Sequence, residues 1–237
     1  MAHLQPIPQI QIPQNELLVF GQAWKNNKEC LSRTPPNSSM QLGNLFDKYV
    51  GKALATMLGG IPIANPGAND LIPQNADCIE IGHVRIIGGI RPQNFDVGYR
   101  PDGVRIVYDS KTLNDCKSVQ KNYQNMINDL GTEATTVHTR FPYAIVAFLV
   151  AIPTPCLGSP QKEAITLTLE RLSQRIGPID SSHKAEAISL VLWNPENGKI
   201  ETNWPEQESC LRIEKFAKQI ENAYVNRYKG LPPHNQE

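Results

Sequence analysis

Residues 94–112, NFDVGYRPDGVRIVYDSKT, constrain the fold more than any other stretch of this chain. Pro101-Asp102-Gly103 is a turn signal: proline presets φ, the Asp side chain bonds back to the backbone, and Gly accepts positive φ. The flanks alternate with period two, which predicts a strand on each side. Phe95, Val97 and Tyr99 make one apolar face, with Val104, Ile106 and Tyr108 on the return strand. The other face carries Asp96, Gly98 and Arg100, then Arg105, Val107, Asp109 and Lys111. Opposed residues of an antiparallel pair share a face, so two registers match: Tyr99 against Val104, or Arg100 against Arg105. Both put Asp96 and Asp109 on one face, directly opposed or diagonal. A one-residue slip sends them to opposite faces.

Two carboxylates and a lysine near one end of a sheet are the parts needed to hold a divalent metal and attack a phosphodiester. Hard oxygen ligands suit Mg2+, which takes one or two protein carboxylates and keeps several waters; Mn2+ is the expected substitute. The expected metal ligands are Asp96 and Asp109, with the Ser110 backbone carbonyl within reach. Lys111 projects from the same face as Asp109 and is placed to stabilise developing charge or hold the attacking water.

The arrangement resembles the PD-(D/E)xK nuclease superfamily, with Asp96 as its first acid and Asp109-Ser110-Lys111 as its (D/E)xK. Phe95 stands where the family has proline before the first acid. The literal Pro101-Asp102 pair sits in the turn and receives no metal role. The resemblance implies an α/β fold with a restriction-endonuclease-like αβββαβ core, a mixed central sheet flanked by helices. It implies catalysis by Asp96, Asp109 and Lys111, and Mg2+-dependent hydrolysis of double-stranded DNA leaving 5′-phosphates. An acid on the helix before the sheet is common in the family, and Asp47 is the candidate. A compact stand-alone chain looks most like a type II restriction endonuclease, acting as a homodimer whose twofold symmetry mirrors a palindromic site. Two other readings stay open: a repair or recombination nuclease on branched or damaged DNA, and a non-catalytic DNA- or protein-binding module with the same fold.

The rest of the chain fits around the hairpin. Residues 1–37 read as an N-terminal arm and loop, with a short apolar element at 17–25, and residues 38–237 as a single nuclease domain. Ser38-x-x-Gln41 is a capping box. It opens a helix with Leu42, Leu45, Phe46, Tyr49, Ala53, Leu54 and Met57 at helical spacing, ended by Gly59-Gly60. Residues 61–77 are a loop and Cys78–Ile87 a strand, in which His83 is expected to be packed. After the hairpin, a helix capped by Asn114 or Asp115 is predicted to end at Gly131. A polar loop holding His138 and Arg140 follows, and then Tyr143–Ile152, apolar throughout as in a strand covered on both faces. Helices near 161–176 and 208–228 flank a strand at 185–193 and a short return strand at 199–204. Arg171 and Arg175 are expected on one helical face. Candidate DNA contacts are Lys117, Lys121, His138 and Arg140.

Net charge is zero, so no basic surface is advertised. The five cysteines lack metal-ligand spacing and read as reduced thiols. With no signal peptide at the start, a cytoplasmic protein is expected. No apolar run is long enough to span a membrane, so no membrane partner is expected.

Overall fold

The computed structural model describes residues 3–67 and 70–234. Residues 1 and 2 of the expected arm and residues 68 and 69 of the expected 61–77 loop lie outside the described residues. The elements run α1 (Gln14–Asn26), α2 (Ser39–Met57), β1 (Ile63–Ala64), β2 (Ile79–Ile87), β3 (Pro92–Tyr99), β4 (Ile106–Thr112), α3 (Val119–Arg140), β5 (Ile145–Pro153), α4 (Ser159–Leu172), β6 (Ala187–Trp193) and α5 (Ile213–Tyr228). The architecture is α/β, with one six-stranded mixed sheet in the order β1-β2-β3-β4-β5-β6. β2, β3 and β4 form an antiparallel meander, β1 lies parallel to β2, and β5 and β6 lie parallel to β4.

Each face of the sheet is covered. Val97, Tyr99, Ile106, Tyr108 and Leu149 pack against α1, α2 and α5. Val107, Val146, Phe148 and Val150 pack against α3 and α4. β5 and β6 are buried at every residue, as strands covered on both sides must be. Burying a large apolar side chain contributes about 1.5–3 kcal/mol, so these two layers dominate the stability.

α2 positions the site. Its N-terminus is capped as its sequence predicts: the Ser38 hydroxyl accepts from the Gln41 amide at 3.2 Å. Leu42, Leu45, Phe46, Val50, Leu54 and Met57 form its buried stripe. Gly43 lets the helix lie close on β4, because a Cβ there would stand 3.1 Å from the Ser110 Oγ. Gly costs about 1 kcal/mol against Ala inside a helix. At Gly43 that cost allows the close approach.

Several expectations are corrected. α3 does not stop at Gly131 but runs on to Arg140, because Leu130, Ala134 and Val137 continue its buried face. His138 and Arg140 therefore lie on its last turns and not in a loop. α4 ends at Leu172, so Arg175 leaves the helix and is buried while Ile176 is exposed. The 199–204 strand reduces to one bridge, Ile200 with Trp193. The short element at 17–25 is part of α1, and residues 3–13 run extended over the core with Ile10 and Ile12 buried.

The expectation of reduced thiols fails for two of the cysteines. Cys116 and Cys156 form a disulfide with Cα atoms 4.3 Å apart, while Cys30, Cys78 and Cys210 are free. β4 and β5 run side by side, and Leu113 donates to the Ala151 carbonyl at 3.0 Å. The turns that follow the two strands are thereby brought together, an adjacency that the 40-residue separation conceals. Among the described residues, no helix is long and apolar enough to cross a membrane.

Candidate active site

The hairpin takes the second of the two admissible registers. Val97 pairs with Tyr108, Gly98 with Val107 and Tyr99 with Ile106. The paired positions end at Val97 and Tyr108, and the next residues along the two strands are Asp96 and Asp109. The Asp102 carboxylate stays in the turn and pairs with Arg105, with Nε–Oδ1 at 2.8 Å.

One detail of the expected pattern fails next to the site. Phe95 does not share the face of Val97 and Tyr99 but is buried with Val84 in the other layer. The β2–β3 ladder shifts register between Ile81 and Val84. Such an irregularity bends and twists the strands locally and re-aims side chains. The same shift leaves His83 exposed at the rim of a cleft instead of packed.

Asp47, Asp96, Asp109 and Ser110 line that cleft, of about 790 Å³, with Arg33, Asn44 and Asn65 around it. Asp96 Oδ2 accepts from the Ser110 amide at 2.9 Å and from its hydroxyl at 3.1 Å. Ser110 thus orients the first acid, a part the sequence pattern did not suggest for it. Asp109 is buried. Burial, a hydrogen bond with Asp96 and the charges of Asp96 and Glu133 hold its carboxyl well above the usual range, against the pull of Lys111. Asp47 reaches the same place from α2. Burial, then the charge of Asp96, push it up to about 8, with the Ser110 hydroxyl acting the other way. Its Oδ1 is buried without a hydrogen-bond partner.

Lys111 lies between two carboxylates. Its ammonium donates to Asp109 Oδ2 and, at 2.9 Å, to Glu133 Oε1. Burial alone would lower its pKa, but the charges and hydrogen bonds of Asp109 and Glu133 outweigh it and raise the value above that of an ordinary lysine. The group is a fixed positive charge. Gln93 Nε2 also donates to Glu133 Oε1, at 3.0 Å.

Glu133 and Gln93 are the site residues that sequence reasoning missed. Glu133 falls on the buried stripe of α3 with Met126, Leu130 and Val137, where a charged residue is out of place. That was the available signal, and it was hidden by ending the helix at Gly131.

The proposed DNA contacts separate. Lys117 and Lys121 are exposed at the turn and first turn of α3 that follow β4. Arg140 donates to the Ile87 carbonyl at 2.9 Å and stacks on Phe141, with Cζ 5.4 Å from the ring centroid. His138 is buried; its Nε2 pairs with Glu186 at 3.2 Å, and its Nδ1 lies 2.9 Å from the Ser182 carbonyl oxygen. It is packed inside and presents nothing to a nucleic acid.

Among the described residues, no group of three or more His, Cys, Asp or Glu is gathered as a ready-made metal cage. The donor set nonetheless fits a hard cation. Asp96 and Asp109 offer oxygens from neighbouring strands, Asp47 lines the same cleft with an orphaned oxygen, and burial together with the charge of Asp96 lifts Asp47 and Asp109. Mg2+ is suited to one or two carboxylates and retained water. Comparison with known protein families, curated proteins and solved structures finds no match to this chain.

Proposed function

We propose that this chain is a Mg2+-dependent endonuclease cutting double-stranded DNA at a specific sequence, in the manner of a type II restriction endonuclease. The observation that carries the reading is Asp96 and Asp109 brought together with Asp47 at one cleft, with Lys111 fixed beside Asp109 and one Asp47 oxygen buried without a partner. The element order α2-β2-β3-β4-α3-β5 supports a restriction-endonuclease-like core. A homodimer belongs to this proposal, because two copies of one site are needed to cut both strands of a palindrome. So does a cytoplasmic location, which the Cys116–Cys156 disulfide makes unusual, since disulfides are rare in that compartment.

Asp96 and Asp109 would hold the cation, with Asp47 as a third acid and Ser110 keeping Asp96 oriented. When bound, the cation polarises the phosphate and lowers the pKa of the attacking water. Lys111, kept charged by its two carboxylates, stabilises negative charge as it develops on the phosphate oxygens and donates to the water; it does not act as a base. Lys117 and Lys121 offer phosphate contacts that position the duplex without reading its sequence.

The test is incubation with unmethylated phage DNA, in Mg2+ and in EDTA, beside Lys111→Ala. Discrete fragments that need Mg2+ and vanish in the variant are expected. A smear with the same dependence would point to a repair or recombination nuclease. Intact DNA, together with no calorimetric Mg2+ or Mn2+ binding dependent on Asp96 and Asp109, would overturn the enzyme reading in favour of a binding module.

A further inference from the structure

We propose that Glu133, braced by Gln93, is a positioning residue that retains Lys111 beside Asp109 when Asp109 turns to a divalent cation. The inference rests on the proposed metal site and adds residues that the hairpin motif does not contain.

Lys111 bonds to Asp109 Oδ2, an oxygen of the same carboxylate that a cation needs. A cation at Asp96 and Asp109 would compete for that carboxylate and repel the ammonium. With Asp109 as its only partner, Lys111 would either exclude the cation or swing out of the site. Glu133 supplies the second anchor from the opposite layer. Its side chain is 5% exposed, and its Oε1 already holds the ammonium at 2.9 Å. Gln93, near the start of β3, fixes the same oxygen from the strand side at 3.0 Å. The other oxygen, Oε2, is buried with no partner, so Glu133 has acceptor capacity in reserve for the hydrogen bond that Lys111 gives up at Asp109.

The placement argues against a purely structural part. An apolar residue on the stripe of Met126, Leu130 and Val137 would pack α3 onto the sheet without burying a charge. Asp109 and Glu133 also bracket Lys111 from two different elements, β4 and α3. The ammonium can thus shift its weight from one to the other without leaving the neighbourhood of Asp109.

The experiment is calorimetric titration of Mg2+, and separately Mn2+, into the wild-type chain, Glu133→Gln, Lys111→Met, the double variant and Gln93→Leu. In Glu133→Gln the ammonium falls back on Asp109 and competes with the cation, so affinity is expected to weaken about tenfold. The double variant, which has no ammonium to compete, is expected to recover wild-type affinity or better. Gln93→Leu is expected to move in the same direction by about threefold, and it carries the test if Glu133→Gln does not fold. DNA cleavage by Glu133→Gln should show a reduced kcat with an unchanged KM. Wild-type affinity within twofold in Glu133→Gln, or a double variant no better than the single, overturns this inference and leaves the nuclease reading intact. A wild-type chain that binds neither cation overturns both.

Discussion

Glu186 and Asp109 are both buried carboxylates on neighbouring parts of one sheet, and their surroundings differ in kind. Glu186 precedes β6. Its Oε1 accepts from Arg175 Nη1 and Arg227 Nη2, both at 2.9 Å, and its Oε2 accepts from the Val146 amide at 2.8 Å and contacts His138 Nε2 at 3.2 Å. Burial pushes its pKa up. The His138 hydrogen bond and charge, the Arg227 charge and the Val146 amide outweigh burial and hold the pKa below the usual value. Asp109 has one lysine, and burial, a hydrogen bond with Asp96 and the charges of Asp96 and Glu133 outweigh it and drive its pKa up. Two nearby acids, Asp47 and Glu133, each keep an oxygen without a partner. A buried acid whose oxygens are saturated with donors ties elements together: here α3, α5, β5 and the segment after α4. On the proposed reading, a cluster of acids short of positive charge at a cleft suits a ligand that brings that charge.

The widest separation between the two regions should appear in activity. Asp109→Asn and Lys111→Ala should each lower the DNA cleavage rate by at least about a thousandfold, some 4 kcal/mol of transition-state stabilisation. The melting temperature of Asp109→Asn should hold or rise, because one member of a repelling group is neutralised. Rate assays and thermal melts on the same preparations check this. A large fall in melting temperature would make Asp109 an architectural acid like Glu186.

Glu186→Gln should do the reverse. Removing the acid leaves two buried guanidinium groups without their counter-charge, at a cost of about 3–5 kcal/mol. That corresponds to roughly 10 °C in melting temperature for a chain of this size. Cleavage measured well below the transition should be retained. Urea denaturation resolves the loss, and full stability in this variant would erase the contrast.

These two regions also show what the sequence could and could not reveal. The nearness of Asp96 and Asp109 is legible because period-two alternation and a Pro-Asp-Gly turn restrict the register to two choices, and the Val97–Tyr108 pairing belongs to one of them. Lys111 followed from its two-residue spacing. Asp47 was found only as an acid on the preceding helix, and its burial at 4% exposure depends on how closely α2 lies on β4. Glu133 escapes a reading of the sequence because Gly131 looks like a helix stop, whereas packing on both sides carries α3 through it. The Glu186 cluster draws on residues 138, 175, 186 and 227, far apart in the chain and without a local pattern. Phe95 and His83 were misplaced because the register shift in the β2–β3 ladder breaks the alternation on which such assignments rest.

The acid-rich cleft should also make stability depend on pH, in the opposite sense to Glu186. Asp47 is raised to about 8 in the folded chain, against an unfolded value near 4. Between those values the folded state binds a proton that the unfolded state lacks. Its contribution is therefore full below pH 4 and falls by up to about 1.4 kcal/mol per pH unit until pH 8. Glu186, lowered on folding, contributes above its unfolded pKa and loses that contribution as pH falls through its folded value. Melts from pH 5 to 9 should slope downward in EDTA, less steeply in Asp47→Asn, where the raised Asp109 still contributes, and flatten in saturating Mg2+. A slope that survives Asp47→Asn unchanged would remove Asp47 from the cluster.

The smallest effect expected here separates residues that the sequence grouped as DNA contacts. Lys117 and Lys121 are exposed beside the C-terminal end of β4, while His138 is sealed against Glu186. If the cleft receives a duplex, Lys117→Ala and Lys121→Ala should weaken binding evenly across sequences, and each should reduce the slope of log affinity against log salt by about one. The catalytic rate on bound DNA should not move, since phosphate contacts of this kind position the duplex and do not touch the reacting atoms. His138→Ala should leave that slope unchanged and lower the melting temperature instead, because it removes a partner from Glu186 and nothing from the surface. A salt slope altered by His138→Ala, or unaltered by both lysine variants, would mean that the duplex lies elsewhere on the molecule than across the end of β4.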